Sequence, residues 1–115
     1  MASILISIKK LLGIPADYTD FDQDIIMHIN SVFLVLKQLG VGPKEGFSIT
    51  GNSEEWTDYI AEDNIQLVKS YIYLKVRLMF DPPMNAALLD AISRQIAEFE
   101  WRLNVEIEPY NKSGG

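Results

Sequence analysis

Residues 56–80, WTDYIAEDNIQLVKSYIYLKVRLMF, decide the fold class of this chain. Every second residue from Ile72 to Phe80 is apolar, which is typical of a strand, whereas the apolar residues of 60–68 recur at helical spacing. No turn residue separates the two halves, and a single strand without partners would be unstable. The sequence therefore predicts one helix over residues 57–80.

This predicted helix is apolar over most of its surface, so it must be covered on most sides. Either it is the central helix of the domain, or a neighbouring subunit covers part of it. Tyr71 and Tyr73 within it, and Trp101 in the helix that follows, are surplus aromatic residues. Because aromatic residues concentrate at protein interfaces, we predict that these three side chains form contacts between subunits.

Three further apolar stripes with helical spacing surround this segment. Ser3 is a candidate cap for the first, and Asp20 with Gln23 fits a capping box at the start of the second. Asp81, followed by two prolines, is a candidate cap for the last. The sequence thus predicts an all-α single domain of about four helices, over residues 3–12, 20–39, 57–80 and 84–103.

Two segments lack the helical pattern. Residues 40–56 carry four glycines and are predicted to form a long loop, which Phe47 and Ile49 pin to the body of the domain. After residue 104 the apolar residues alternate and a proline follows, so residues 105–115 are predicted to be an extended tail. The expected division is a helical domain over 1–104 and this tail.

Composition excludes several classes of function. The chain has 115 residues, no cysteine and one histidine, so disulfides, thiolate metal sites and cysteine nucleophiles are excluded. Its net charge of −6 disfavours binding to DNA phosphates. No apolar stretch is long enough to span a membrane, and the short one near residue 4 does not fit a secretion signal, so we expect a cytoplasm-like compartment.

The acidic residues do not form a reactive constellation either. Asp20, Asp22 and Asp24 alternate as in a calcium loop, but the glycine and the distal glutamate of that loop are missing. Glu98 and Glu100 are two residues apart and therefore point to different sides of a helix. We predict no catalytic, metal or cofactor-binding residues, and hence no cofactor and no enzymatic activity.

The order of several sequence segments says more about function than composition does. LLGIP at 11–15 and TDFDQDI at 19–25 precede GVGPKEGF at 40–47, and these are followed by YIYLKVRLMFDPP at 71–83 and ISRQIAEFEWRLN at 92–104. This arrangement resembles the head–tail connector (adaptor) proteins of tailed bacteriophages and prophages, especially those from Gram-positive hosts. The resemblance covers roughly residues 3–104.

The resemblance implies a structural virion protein, made in the host cytoplasm and located at the head–tail junction. Such connectors form a homo-oligomeric ring beneath the portal protein, commonly of twelve copies, which extends the DNA channel without binding DNA specifically. The ring is a platform for the next connector, a stopper or a tail protein. By analogy, the tail would bind the portal through Val105, Glu106, Ile107, Glu108 and Tyr110.

Two other functions are compatible with composition alone. One is a small cytoplasmic helical module for protein–protein interaction, or a regulator. The other is an accessory subunit of an enzyme whose active site lies on another chain. For the tail, the alternative is a disordered end without a role.

Overall fold

The computed structural model describes the backbone of residues 3–114 and the side chains of residues 3–104. Within this part the chain is all-α, and its only strand-like contact is an isolated bridge between Ser3 and Glu55. The four main helices confirm the predicted fold class. The helices are α1 (Ile4–Leu11), α2 (Asp22–Gln38), the short α3 (Trp56–Tyr59), α4 (Ile65–Phe80) and α5 (Ala86–Gly114).

The predicted helix over 57–80 is wrong in its first third. The backbone of Ile60 is extended, with φ −151° and ψ 157°, and a 3-10 turn at Glu62–Asn64 precedes α4. The backbone N–H of Glu55 donates to Asp58 Oδ2 at 2.9 Å, which favours a separate start for α3. The polar turn then favours an interruption, because Asp and Asn compete with helical hydrogen bonding through their side chains.

The alternating segment of residues 72–80 is helical, as predicted. α4 packs against α1, α2 and α5, so it is the central helix of the domain and is covered within one subunit. Its side chains join those of the neighbouring helices in a single core. The α4 residues buried in that core are Val68, Tyr71, Ile72, Leu74 and Val76.

A buried lysine connects α1 to the start of α2. Lys9 is fully buried, and its Nζ atom lies 2.7 Å from the carbonyl oxygen of Tyr18, 3.1 Å from that of Ala16 and 2.8 Å from Asp22 Oδ1. Three acceptors match the three donors of an ammonium group. The predicted capping box is absent, since Phe21 is the N-cap and makes no side-chain hydrogen bond. The ion pair to Asp22 holds the first turn of α2 instead.

The middle of the long loop between α2 and α3 is fixed to the body of the domain. The backbone N–H of Ile49 donates to Asn30 Oδ1 at 2.8 Å, and Asn30 Nδ2 donates to the carbonyl oxygen of Ile49 at 3.0 Å. Phe47 packs on Phe33, with ring centroids 5.2 Å apart. The two predicted anchors, Phe47 and Ile49, are therefore confirmed, whereas the role of Asn30 was not predicted.

The end of this loop also holds the first helix. Ser3 caps α1 as predicted, because its Oγ atom accepts a hydrogen bond from the N–H of Ile6 at 3.3 Å. The N–H of Ile4 donates to the carbonyl oxygen of Glu54 at 3.0 Å. Trp56 Nε1 donates to Ser7 Oγ at 3.1 Å across 49 residues of sequence. α1 thus docks on a part of the chain that is distant in sequence.

The last helix differs from its predicted bounds at both ends. Asn85, not Asp81, caps its start, since Asn85 Oδ1 accepts a hydrogen bond from the N–H of Leu88 at 3.0 Å. Asp81 instead ends α4. The helix is continued through 105–114, and the tail predicted for 105–115 stays a prediction, because its side chains lie outside the described residues.

Candidate functional site

The apolar stripe of α5 extends beyond the core of the domain. Ile92, Ile96 and Leu103 are buried against the other helices. Leu88 and Leu89, in the first turn of the same helix, are 43% and 39% exposed. Together with the fully exposed Met84, they form what we call the α5 apolar end. The monomer leaves this surface uncovered.

The opposite side of α5 carries a second exposed apolar group. Trp101 follows Ile96 by five residues, which places it about 140° around the helix from the core. Its side chain is 66% exposed. An exposed tryptophan with a charged surround is typical of the anchor of a protein interface.

Two exposed ion pairs lie on the same side of α5 as Trp101. Arg94 pairs with Asp90, and Arg102 pairs with Glu98 at 2.9 Å, both at i,i+4 spacing. Because all four side chains are largely exposed, each pair adds only a few tenths of a kcal/mol to stability. These ion pairs mainly set the charge pattern on the exposed face of α5.

A third exposed surface is aromatic. Tyr18 lies against Phe21, with ring centroids 5.6 Å apart, and Phe21 lies against Phe80 at 5.3 Å. His28 completes the group, 6.5 Å from Phe80. We call these four residues the aromatic patch. It joins the turn before α2, α2 itself and the end of α4, and it was not predicted because Phe80 is distant in sequence from the other three residues.

The acidic residues considered from sequence are dispersed in the structure. Asp22 turns inward to Lys9, whereas Asp20 and Asp24 are exposed. Glu98 pairs with Arg102, and Glu100 accepts a hydrogen bond from Tyr71. Over the part of the chain that the structure describes, no group of three or more His, Cys, Asp or Glu side chains could hold a metal ion. In the same part, no helix is both long and apolar enough to cross a membrane.

The geometry therefore offers surfaces for protein contacts. A family profile described as phage connector protein matches residues 4–110, almost the whole chain. The chain belongs to the phage connector protein family. This confirms the resemblance seen in the sequence, and it makes the connector a structural, non-enzymatic component of the virion head–tail region. Searches among curated proteins and among solved structures gave no match.

The three residues predicted to form contacts between connector subunits lie in different environments. Tyr71 is fully buried, and its hydroxyl donates to Glu100 Oε2 at 2.7 Å, so it belongs to the core and offers no surface to a neighbour. Burial, followed by the hydrogen bond and negative charge of Glu100, raises the pKa of Tyr71. Tyr73 is half-buried and accepts a hydrogen bond from Arg77 at 3.4 Å. Only Trp101 presents a large exposed area.

The portal-binding residues predicted for the connector's tail have side chains that lie outside the described residues, although their backbone is part of α5. These residues are Val105, Glu106, Ile107, Glu108 and Tyr110.

Proposed function

We propose that this connector closes into a ring beneath the portal protein and continues the DNA channel. The opposite side of the ring would be the platform for the next connector, a stopper or a tail protein. The observation that carries the proposal is the exposed apolar surface of α5, namely the α5 apolar end and Trp101. The domain core is complete without these side chains, so a neighbouring subunit is the natural cover for them.

A ring requires two different surfaces on each subunit, because its contacts run head to tail. α5 supplies apolar area on two of its sides: the apolar end continues the core-facing stripe, and Trp101 lies on the outward face. One helix could therefore contribute to contacts with more than one neighbour. We expect Trp101 to contribute most, since a buried tryptophan at an interface is a frequent hot spot.

The charge of the chain supports a role as a conduit. A ring of twelve copies at −6 each would carry a charge on the order of −70. A negatively charged wall repels DNA phosphates, so DNA could pass without being held. We propose passage of DNA without specific binding.

Attachment to the portal is assigned to the end of α5, residues 105–110. Two carboxylates, Glu106 and Glu108, would meet basic groups of the portal, and Ile107 and Tyr110 would be the apolar anchors. Removing residues 105–115 tests this assignment. The shortened protein should keep its helical circular dichroism signal and lose binding to purified portal rings. Unchanged portal binding would contradict the assignment.

The ring is tested by mixing the connector with the portal protein of the same phage and imaging the particles by negative-stain electron microscopy. We expect rings on the portal for the wild type and for Leu34→Ala, a control that removes an equally exposed side chain from α2. Trp101→Ala should reduce ring occupancy about tenfold or more, as expected for an interface hot spot. A monomer or dimer that does not bind portal would favour a small interaction module instead.

A further inference from the structure

The aromatic patch is an exposed surface that the ring proposal does not use. Tyr18 and Phe21 are 43% and 40% exposed, although both rings already contact an aromatic neighbour. The rings come from three separate parts of the chain, so the folded domain assembles the patch. Ring faces held in this way are a preformed apolar surface with little conformational entropy left to lose on binding.

Exposed carboxylates accompany these rings. Asp24 follows Phe21 by three residues and precedes His28 by four, which places all three on one side of α2. Three more exposed aspartates are sequence neighbours of patch residues, and among residues 3–104 none of the four forms an ion pair. These neighbours are Asp17, Asp20 and Asp81.

Three basic residues of the neighbouring segments, Lys9, Lys10 and Arg77, form no ion pair with these four aspartates. Lys9 already forms an ion pair with Asp22, and Lys10 is exposed at the end of α1 without an ion pair to the described residues. Arg77, one turn before Asp81, directs its guanidinium to the hydroxyl of Tyr73. The surround of the aromatic patch is therefore acidic.

We infer that the aromatic patch is a docking surface for a basic, apolar segment of a protein other than this chain. Aromatic rings accept apolar side chains, and their faces attract Lys and Arg when these groups approach. The acidic surround accelerates association with a basic partner and selects against acidic ones. A second copy is a poor occupant, because each chain carries a charge of −6.

A model peptide tests this chemistry directly. The probe is a synthetic 18-residue amphipathic peptide of leucine and lysine, titrated into the isotope-labelled full chain and followed by nuclear magnetic resonance. We expect shift changes centred on Tyr18, Phe21, His28 and Phe80. Asp20→Lys combined with Asp24→Lys should weaken peptide binding about tenfold or more, since it reverses two charges at the surface.

The matched control is Glu62→Lys combined with Asp63→Lys, which reverses two exposed acids on the 3-10 turn. It should change affinity less than about twofold, since exposed charges far from a binding surface act weakly. A neutral pair, Asp20→Asn with Asp24→Asn, is the second variant should the lysine pair fail to fold. Equal weakening by patch and control variants, or no shift changes at the patch, would overturn the inference. Loss of self-association in the Asp20→Lys, Asp24→Lys variant would overturn the inference as well.

Discussion

At the scale of single residues, Lys9 shows how one side chain can organise a junction. It lies on an amphipathic helix, where a lysine is expected to be exposed. In the fold it is fully buried because two backbone carbonyls and Asp22 surround its ammonium group. The turn between α1 and α2 is thereby held by charge-assisted hydrogen bonds, which are stronger than neutral ones.

Lys9→Met should therefore destabilise the domain. It leaves Asp22 without its cation, and removal of one partner from a buried ion pair costs several kcal/mol. Because the Asp22 side chain is 22% exposed and can recover some hydration, we expect a loss of about 2 kcal/mol. Urea unfolding of this variant and of Lys10→Met, its exposed neighbour, measures the effect. Equal free energies of unfolding for the two variants would contradict the prediction.

In contrast to the ammonium group of Lys9, the buried hydroxyl of Tyr59 has no hydrogen-bond partner among the described residues. Its ring packs on Phe33, with centroids 4.6 Å apart. An unsatisfied buried hydroxyl is costly, so Tyr59→Phe should stabilise the domain by about 1 kcal/mol. Thermal unfolding at neutral pH measures this gain. A lower Tm for the variant would show that the hydroxyl has a favourable role.

The same residue predicts a dependence on alkaline pH. Burial raises the pKa of Tyr59 above its ordinary value. Above a pH of about 10 the unfolded chain releases this proton while the folded domain keeps it, so stability falls as pH rises. Tm should therefore decrease more steeply between pH 9 and 11 in the wild type than in Tyr59→Phe. Parallel Tm profiles would contradict the shift.

At the scale of helices, periodicity predicted the stripes and most helix ends well, but it missed the start of α4 and the cap of α5. Apolar spacing is set by the core, which every helix of the domain shares. The start of a helix depends on which polar side chain accepts a hydrogen bond from its first backbone N–H groups. Asp81 was the cap predicted for α5, whereas the side chain of Asn85 is the one that accepts the hydrogen bond at the helix start.

The surface residues show a related limit. Trp101 was predicted to lie at an interface, and its position away from the core is consistent with that role. Tyr71 was predicted with it from aromatic character alone, but helical position places it in the core beside Glu100. The aromatic patch could not be predicted, since nothing in the sequence signals that residues 18 and 80 belong to one surface.

Asn85→Ala tests the helix start. Loss of a side-chain cap costs about 1 kcal/mol, whereas Asp81→Ala, which removes the cap predicted from sequence, should change stability by less than about 0.5 kcal/mol. Both residues are exposed, so neither change disturbs the core. The free energies of unfolding of the two variants distinguish the alternatives. A larger loss for Asp81→Ala would place the functional cap there.

At the scale of the whole molecule, α4 is enclosed by the other helices within one subunit. The apolar residues of α4 had suggested that a neighbouring subunit covers this helix. Exposed apolar residues of the monomer are instead found on α5, namely the α5 apolar end and Trp101. The core of the described residues therefore does not depend on a neighbouring subunit.

The contact between Ser7 and Trp56 has a consequence for synthesis in the cell. The ribosome adds about 5–20 residues per second, so the 49 residues between them take about 2–10 s to make. During that interval α1 has emerged or is emerging without its binding partner, with the apolar side chains of Ile4, Leu5 and Ile8 uncovered. The first helix to be translated cannot complete its docking until much of the chain has followed it.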